Sequence, residues 1–486
     1  MSDIMLIYPR TGMDIGSSVA PPHNLLCVAA PLEKAGYSVK IIDQRVDDEW
    51  LFNLIGELAT KPIFVGIPTM TGTQVKFAME IAEVVRSRST TPIVWGGAHP
   101  TLLPQQVLDS NLADHVCVGE VDETIVQIAN DISKGKAESI ITSPLPDIEQ
   151  LLPTPWHLID VEKYIHNDIY LKGGRNLDIG QTSRGCPFSC GFCSSASIRE
   201  RKWRAMSSEK ALNMLGTAIN QFNLSGFWLR DDEFYIDPNR AAKIAEGLIP
   251  YEVKYYTSGT RVDVFNKTTD EQVALYKKSG ANTLKFGAES GCNRILKLIG
   301  KNIVIEDTLK ANLRAKKHNI TPAFALMAGF PSETFAEMEE TLDLAKQIRK
   351  DNPQAQFETM ATYTALPGTP MWKMALEYGL KEPTKLEEWA DWNFDEYDLE
   401  GKRIPWYNRE EREAIGNLCY LSMLSNAVPN VLDSLSYGKL LKAGYSMPHK
   451  YFQWRWFGKH YKKSWELGMI RKMRQKVFYN GHKALR

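Results

Sequence analysis

Two long stretches of this chain alternate short apolar runs with helical segments, and that rhythm restricts the fold more than any single residue does. In the first 140 residues the runs are IMLIYP (4–9), SVKIID (38–43), IFVGIPT (63–69), PIVWGG (92–97) and HVCVG (115–119). They are rich in Ile and Val and separated by helical stretches such as 73–87. Short buried strands alternating with helices predict a parallel, doubly wound α/β sheet of Rossmann-like form. Such sheets bind ligands at the carboxyl ends of their strands. The loops 9–24, 69–73, 96–104 and 119–124 are therefore the expected binding edge, and their glycines permit close approach of backbone to a ligand. No G-x-G-x-x-G follows the first run, so a dinucleotide site is not expected.

Residues 141–175 read as a linker, with Pro144, Pro146, Pro153 and Pro155 and no clear period. A second series then begins: 176–184, 226–234, 254–262, 283–290, 322–330 and 357–366, with helices such as 207–222 and 305–318 between. Six βα units predict a partial (β/α) barrel over 176–395. Arg184, Asp231, Asp232, Glu233, Arg261, Glu289 and Ser290 fall at the strand carboxyl ends, the catalytic face of a barrel. From about 396 to 486 the chain reads as mainly helical.

At 486 residues the chain is long enough for two or three cores. It has no run of about 18 apolar residues, so no membrane span is expected. MSDIMLIYPR reads as a first strand and not as a signal peptide. Seven cysteines, three of them clustered, fit a reducing cytoplasm with the cluster serving metal or redox chemistry. Net charge is zero but segregated. Residues 381–400 hold eight acids against two lysines, and residues 439–486 hold thirteen Lys and Arg against Glu466, with ten aromatics interleaved. The basic tail reads either as a solvated helical face packed on the barrel or as a surface for an anionic substrate, nucleic acid or lipid.

The stretch TSRGCPFSCGFCSSAS (182–197) carries the chemistry. Cys186, Cys190 and Cys193 follow a strand and precede a helix, so they lie on the barrel's catalytic face. Thiolates select zinc or iron–sulfur centres. Zinc takes four ligands or a nearby histidine, and the nearest histidine in sequence is His166. Ferredoxin spacings supply four cysteines. Three thiolates on a 4Fe–4S cubane leave one iron open for a substrate. CPFSCGFC, with Phe192 before the third cysteine, resembles the motif of the radical S-adenosylmethionine (SAM) superfamily. The resemblance implies that Cys186, Cys190 and Cys193 hold the cluster. It also implies that the open iron chelates SAM, whose reductive cleavage gives a 5′-deoxyadenosyl radical.

Further stretches from about 180 to 380 resemble the same family. FWLRDDEF suggests Asp232 and Glu233 as contacts to the SAM amino group. TLKFGAESGCNRILKLIGK suggests Glu289 and Ser290 for the methionyl or ribose part. FALMAGFPSET (324–334) resembles the motif near the adenine, YTALPGTPMWKMALEYGL the sixth-strand ending, and Arg261 a commonly basic third-strand position. The N-terminal segment resembles the cobalamin-binding domain that precedes many such enzymes, through PPHNLL, GYSVKIID, WGGAHPT and VGEVDETI. That likeness implies Thr69, Gly97, His99, Gly119 and Glu120 as cofactor-binding positions. It departs from D-x-H-x-x-G: QRVDDE follows Asp43, so no histidine there ligates cobalt from below. His99 is read either as a contact to the corrin or as a surface cap. Cys27, Cys117, Cys292 and Cys419 are expected as core thiols.

The resemblance implies a cobalamin-dependent radical SAM methyltransferase, moving a methyl group by way of cobalamin to an unactivated carbon. The alternative keeps both cofactors but forms or rearranges a ring, as the anaerobic cyclase of bacteriochlorophyll synthesis does. A third reading is a non-catalytic corrinoid-binding protein, against which the intact cysteine loop argues. A tRNA methylthiotransferase is disfavoured, because Cys27 and Cys117 do not make a second cysteine triad. Expected partners are a small-molecule or natural-product substrate and a flavodoxin- or ferredoxin-type electron donor. Nucleic acid is not expected, and the basic tail offers peripheral membrane contact. No residue is assigned as catalytic, and the substrate is not legible.

Overall fold

The computed structural model describes residues 2–12, 19–166, 168, 170–171, 174–392, 397–426 and 438–474. Both predicted α/β series form. Strands β1 (Ile4–Tyr8), β2 (Val39–Asp43), β3 (Phe64–Pro68), β4 (Ile93–Gly96), β5 (His115–Val118) and β6 (Ile140–Thr142) make a parallel sheet in the order 2-1-3-4-5-6. Ile4–Ile7 and Phe64–Ile67 are buried along their whole length, as strands covered by helices on both faces require. The sixth strand was missed, because Ile140–Thr142 is short and half-exposed and shows no buried pattern.

The second sheet contains β7 (Asn176–Gly180), β10 (Gly226–Leu229), β11 (Lys254–Thr260), β12 (Ala281–Glu289), β13 (Thr321–Ala328) and β14 (Gln356–Phe357), in the order 14-13-12-11-10-7. It is an open half-barrel; on the face covered by helices Phe286 stacks on Phe324 at 5.5 Å and packs on Phe265, and Phe357 tilts against Phe324 at 6.2 Å and packs on Trp456. Two predicted strands are interrupted. The first stops at Gly180, and β8 (Ser183–Arg184) instead forms an antiparallel pair with β9 (Arg204–Ala205) around the cysteine loop. The last breaks into β14 and β15 (Ala361–Thr362), and between them Met360 N–H bonds to Ser422 Oγ of the helix Arg409–Asn426. Helices predicted at 73–87, 207–222 and 305–318 are found at Thr73–Arg88, Ser208–Phe222 and Ile305–Lys317.

The linker is built from ordered 3₁₀ turns that touch both sheets. Tyr164 Oη donates to Asp43 Oδ2 at 2.8 Å, and Ser207 N–H donates to Glu149 at 2.7 Å. Trp156, 8% exposed, lies edge-on to both His23 and Phe222. The basic tail folds back as the helices Gly438–Phe457 and Trp465–Arg474. Trp456, Tyr461 and Leu467 are fully buried, and Lys459 pairs with Asp343 at 2.8 Å. Its described part is thus a helical face packed on the barrel; residues 475–486 lie outside the described residues. Among the described residues no helix is long and apolar enough to cross a membrane.

One ion cluster joins the carboxyl edge of the first sheet to the cysteine loop. Glu120, just beyond β5, accepts from Arg184 Nη1 at 2.7 Å, Arg199 Nη1 at 2.9 Å and Arg204 Nη2 at 2.6 Å. Asp122 shares Arg184 at 3.0 Å, and Arg184 Nη2 also reaches Cys27 Sγ at 3.3 Å. Burial opposes ionisation of Glu120, but Arg199, Arg204 and Arg184 outweigh it and hold the carboxyl below the usual range. Its folded pKa is depressed, so its stabilisation is complete above the ordinary glutamate pKa and is lost as pH falls through the lowered value. The side chains of Glu120 and Arg184 are only 10% and 11% exposed. Breaking such a pair costs about 3 kcal/mol or more, because Arg204 loses its carboxylate and Arg184 and Arg199 keep only Asp122 and Asp232. Glu120→Gln is expected to lower the denaturation midpoint and to open residues 141–175 to protease. An unchanged midpoint with unchanged cleavage would remove the cluster from the account.

Candidate active site at the facing carboxyl edges

The cysteine loop is gripped from both sides. Asp231 is buried and accepts from Thr182 N–H at 3.1 Å, Thr182 Oγ1 at 2.9 Å and Ser183 Oγ. Asp232 accepts from Gly185 N–H at 2.7 Å and lies 3.5 Å from Arg199. Gly185 has φ +85°, and a Cβ there would fall 2.1 Å from Lys202 O, so only glycine fits. Further on, Gly191 N–H bonds to Ile299 O at 2.7 Å, and Gly191 O accepts from Met371 N–H at 2.9 Å. The strand ends, the end of the helix Asn293–Leu298 and the start of the helix Pro370–Glu377 therefore fix the backbone that carries the three cysteines.

Cys190 is buried, while Cys186 and Cys193 are partly exposed. Burial pushes the Cys186 thiol up to about 11, and that of Cys193 upward too. Two buried cations stand beside them. Arg261 Nη1 donates to Cys190 Sγ at 3.3 Å, and Lys301 pairs with Glu289 at 2.8 Å. Among the described residues no three His, Cys, Asp or Glu side chains close on a point that one metal ion could fill. Three clustered thiols are one short of the four ligands of a structural zinc site and, with cations beside them, fit an iron–sulfur cubane.

The remaining predicted residues take definite places. Phe192 is half-buried and tilts against Phe330 at 6.3 Å. Glu233 is fully buried; its carboxylate accepts from Arg261 N–H at 2.6 Å and Tyr235 N–H at 3.2 Å, and burial pushes its carboxyl up to about 8. Ser290 Oγ accepts from Cys292 N–H at 3.1 Å and lies 3.3 Å from Thr341 Oγ1, bracing the turn into the helix Asn293–Leu298. Arg261 differs from a free strand-end cation. Its Nη1 is engaged with Cys190, its Nη2 with Lys301 O at 2.6 Å and its Nε with Asp263 at 2.9 Å. Its Nε–Nη2 edge is held by both oxygens of the Asp263 carboxylate, Nη2 reaching Oδ2 at 3.3 Å, so that edge is occupied within the protein and is not presented to a ligand.

At the facing edge of the first sheet, Met70 (45% exposed) and Gly97 form the open surface. Gly97 has φ +98°, and a Cβ there would meet the Thr69 backbone at 2.9 Å. Gly119, at φ +91°, passes equally close to Ser143 O. The same loops bury Thr69 Oγ1 and His99 Nε2 without hydrogen-bond partners. An edge with glycine at its surface lets a broad ligand such as a corrin approach the backbone closely.

Two readings of this edge are corrected. His99 is neither a surface cap nor open to a ligand. It is fully buried, bonded through Nδ1 to Thr71 Oγ1 at 3.1 Å and covered edge-on by Trp389 at 5.5 Å. Trp389 comes from a turn almost 300 residues later and is itself pinned to Gln106, contacts that local sequence does not display. Glu120 is engaged by three guanidiniums and joins the two edges instead of lining a pocket. Sequence reading gave Phe188 no role and met Lys301 and Glu333 only as members of the motifs ending at 301 and 334. Glu333 Oε2 accepts from Gly329 N–H at 2.7 Å and Phe330 N–H at 3.1 Å, so the GFPSET loop braces itself. Cys117, Cys292 and Cys419 are buried core thiols, whereas Cys27 sits at the junction with Arg184. A polar cavity of about 510 Å³, lined by Asn282, Thr321, Arg349 and Gln356 among others, lies at the opposite, amino-terminal end of the barrel strands.

Desolvation lowers the His99 pKa to about 4. The imidazole is therefore expected to stay neutral from pH 8 to pH 5 in ¹⁵N spectra, and Trp389→Ala to restore an ordinary titration. Titration near pH 6.5 in the unsubstituted protein would contradict the burial.

Residues 181–345 match the Radical SAM superfamily, and residues 16–129 match the B12 binding domain. The chain is 30% identical over 406 residues to an uncharacterized methyltransferase of Pyrococcus horikoshii, an alignment covering 78% of this chain and 84% of that protein. It is 24% identical over 392 residues to the anaerobic magnesium-protoporphyrin IX monomethyl ester cyclase of Rubrivivax gelatinosus, covering 75% and 68%. Among solved structures, the cobalamin-dependent SAM radical enzyme OxsB, with aqua-cobalamin and SAM bound, superposes with a TM-score of 0.68 at 19% identity. That superposition covers 92% of this chain and 71% of OxsB and speaks to the fold.

Proposed function

Because the chain belongs to the radical SAM enzymes that carry a B12-binding domain, we propose that it is a cobalamin-dependent methyltransferase acting on an unactivated carbon of a small-molecule or natural-product substrate. The observation that carries this reading is the Glu120 cluster, which holds the cysteine loop against the carboxyl edge of the first sheet. Bound there, the 4Fe–4S cluster, SAM and cobalamin supply one-electron chemistry and a transferable methyl group.

The chain's own residues position and enclose. Cys186, Cys190 and Cys193 are the cluster ligands in this reading, and their number leaves one iron for SAM. Asp232 fixes the start of their loop through Gly185, and Glu233 fixes Arg261 through its backbone. Glu289, paired with Lys301, and Ser290 stand buried at the end of β12 and are the residues of that strand assigned to SAM in this reading. Phe188 and Phe192 shield the loop from water. Thr69, Gly97 and Gly119 are the edge that receives the corrin. The working division is a cobalamin-binding unit over 1–140, a linker over 141–175, the partial barrel over 176–395 and a helical region over 396–486.

A cyclase or ring-rearranging reaction is the second reading, favoured by the likeness to the Rubrivivax protein. A one-electron donor of the flavodoxin or ferredoxin type belongs to either reading. Trp454 and Trp465 are 59% and 77% exposed beside basic residues, which supports peripheral membrane contact of a cytoplasmic protein through the tail.

Anaerobic incubation with methyl-deuterated SAM, reductant, cobalamin and a cell extract tests the proposal. A new product carrying deuterated methyl is expected. Deoxyadenosine with an unlabelled, ring-closed or rearranged product would select the second reading. The triple alanine variant at Cys186, Cys190 and Cys193 is expected to lose iron, sulfide and the visible absorbance of the cluster; retention of all three would defeat both readings.

A further inference from the structure

We infer that Arg261 is a positioning residue that sets the electron density on the Cys190 sulfur, and through it the reduction potential of the centre those thiolates hold. The inference rests on the cluster reading above. Arg261 follows β11, and its side chain is 7% exposed. Nη1 donates to Cys190 Sγ at 3.3 Å, and the guanidinium lies over the Phe188 ring at 3.8 Å. It therefore touches the cysteine loop twice, at the middle sulfur and at the aromatic two residues before it. Its other edge is anchored by Asp263 at 2.9 Å and Lys301 O at 2.6 Å. Its backbone N–H is anchored by Glu233 at 2.6 Å. A planar fork fixed at so many points keeps one N–H aimed at sulfur; a lysine in its place carries the charge but not the fork.

The direction of the effect follows from charge. An N–H donor draws density from a thiolate and weakens its donation to iron. Reduction adds negative charge to the cluster, so the contact is stronger in the reduced state and raises the potential. The potential reports only how much stronger the bond becomes on reduction, a part of the strength of a charge-assisted hydrogen bond. At fixed potential, losing the bond should therefore lower the reduced-to-oxidised ratio by up to about tenfold, a fall of at most about 59 mV for a one-electron couple. Asp263 makes the opposite prediction. Asp263→Asn keeps the N–H on sulfur and removes a nearby anion, so its potential should be unchanged or higher.

The test is an EPR-monitored redox titration of the anaerobically reconstituted full chain, with iron and sulfide content and thermal midpoint measured on the same samples. Arg261→Met is expected to keep its iron and to lower the potential, Arg261→Lys to lower it less, and Asp263→Asn not to lower it. An unchanged potential in Arg261→Met with full iron content overturns the inference. So does loss of the cluster in both Arg261 variants, which would make the residue a structural strut alone. Equal lowering in Asp263→Asn overturns it as well, by assigning the effect to the ion pair. Absence of a cluster from the unsubstituted protein would instead defeat the reading on which the inference rests.

Discussion

A carboxylate held by three guanidiniums is the constraint on which the geometry of this protein depends. Arg184 precedes the cysteine loop, Arg199 and Arg204 follow it, and all three converge on Glu120 at the edge of the other sheet. The loop is thereby bracketed at both ends by one acceptor outside its own sheet. Two parallel sheets can each offer a carboxyl edge to a ligand, but nothing in that topology makes the edges face one another. Here the facing is achieved by partly buried charge, which tolerates little displacement because separating the partners leaves Arg204 without its carboxylate. The linker adds to it, with Glu149 on the barrel helix that starts at Ser208 and Tyr164 on Asp43.

Much of this was legible in the sequence, for identifiable reasons. Strands such as IMLIY and IFVGIP are buried on both faces, so their composition alone marks them. The three cysteines announce their chemistry because thiolates are rare and their spacing is close. Periodicity also found Thr73–Arg88 and Ser208–Phe222 to within a residue or two. Strands that are short, half-exposed or interrupted carry no such signal. Ile140–Thr142 was lost for that reason, and the break between β14 and β15 depends on Ser422, more than 60 residues away.

Site residues were less legible than the fold, because a residue type states what a side chain is able to bond and not which partner it finds. Glu120 and Arg261 were both recognised as placed at strand ends. Only the structure shows one joining two edges and the other aimed at a sulfur. His99 was misread because the ring that seals it, Trp389, belongs to a segment that reads as acidic surface. The same division holds for the tail, whose thirteen cations left open a helical face packed on the barrel and a surface for an anionic partner. Its described residues agree with the first, pairing Lys459 and Lys462 with Asp343 and Glu339 and burying Trp456 and Tyr461.

The central claim is that three thiolates leave one iron open for SAM between the two edges. EPR and hyperfine spectroscopy of the reduced, reconstituted protein with SAM labelled by ¹⁵N at its amino group test it most directly. The account predicts hyperfine coupling between the cluster and the ¹⁵N, appearing only when SAM is added. A cluster spectrum that SAM leaves unchanged, or a nitrogen coupling already present from the protein, would show that the fourth position is closed and would contradict the account.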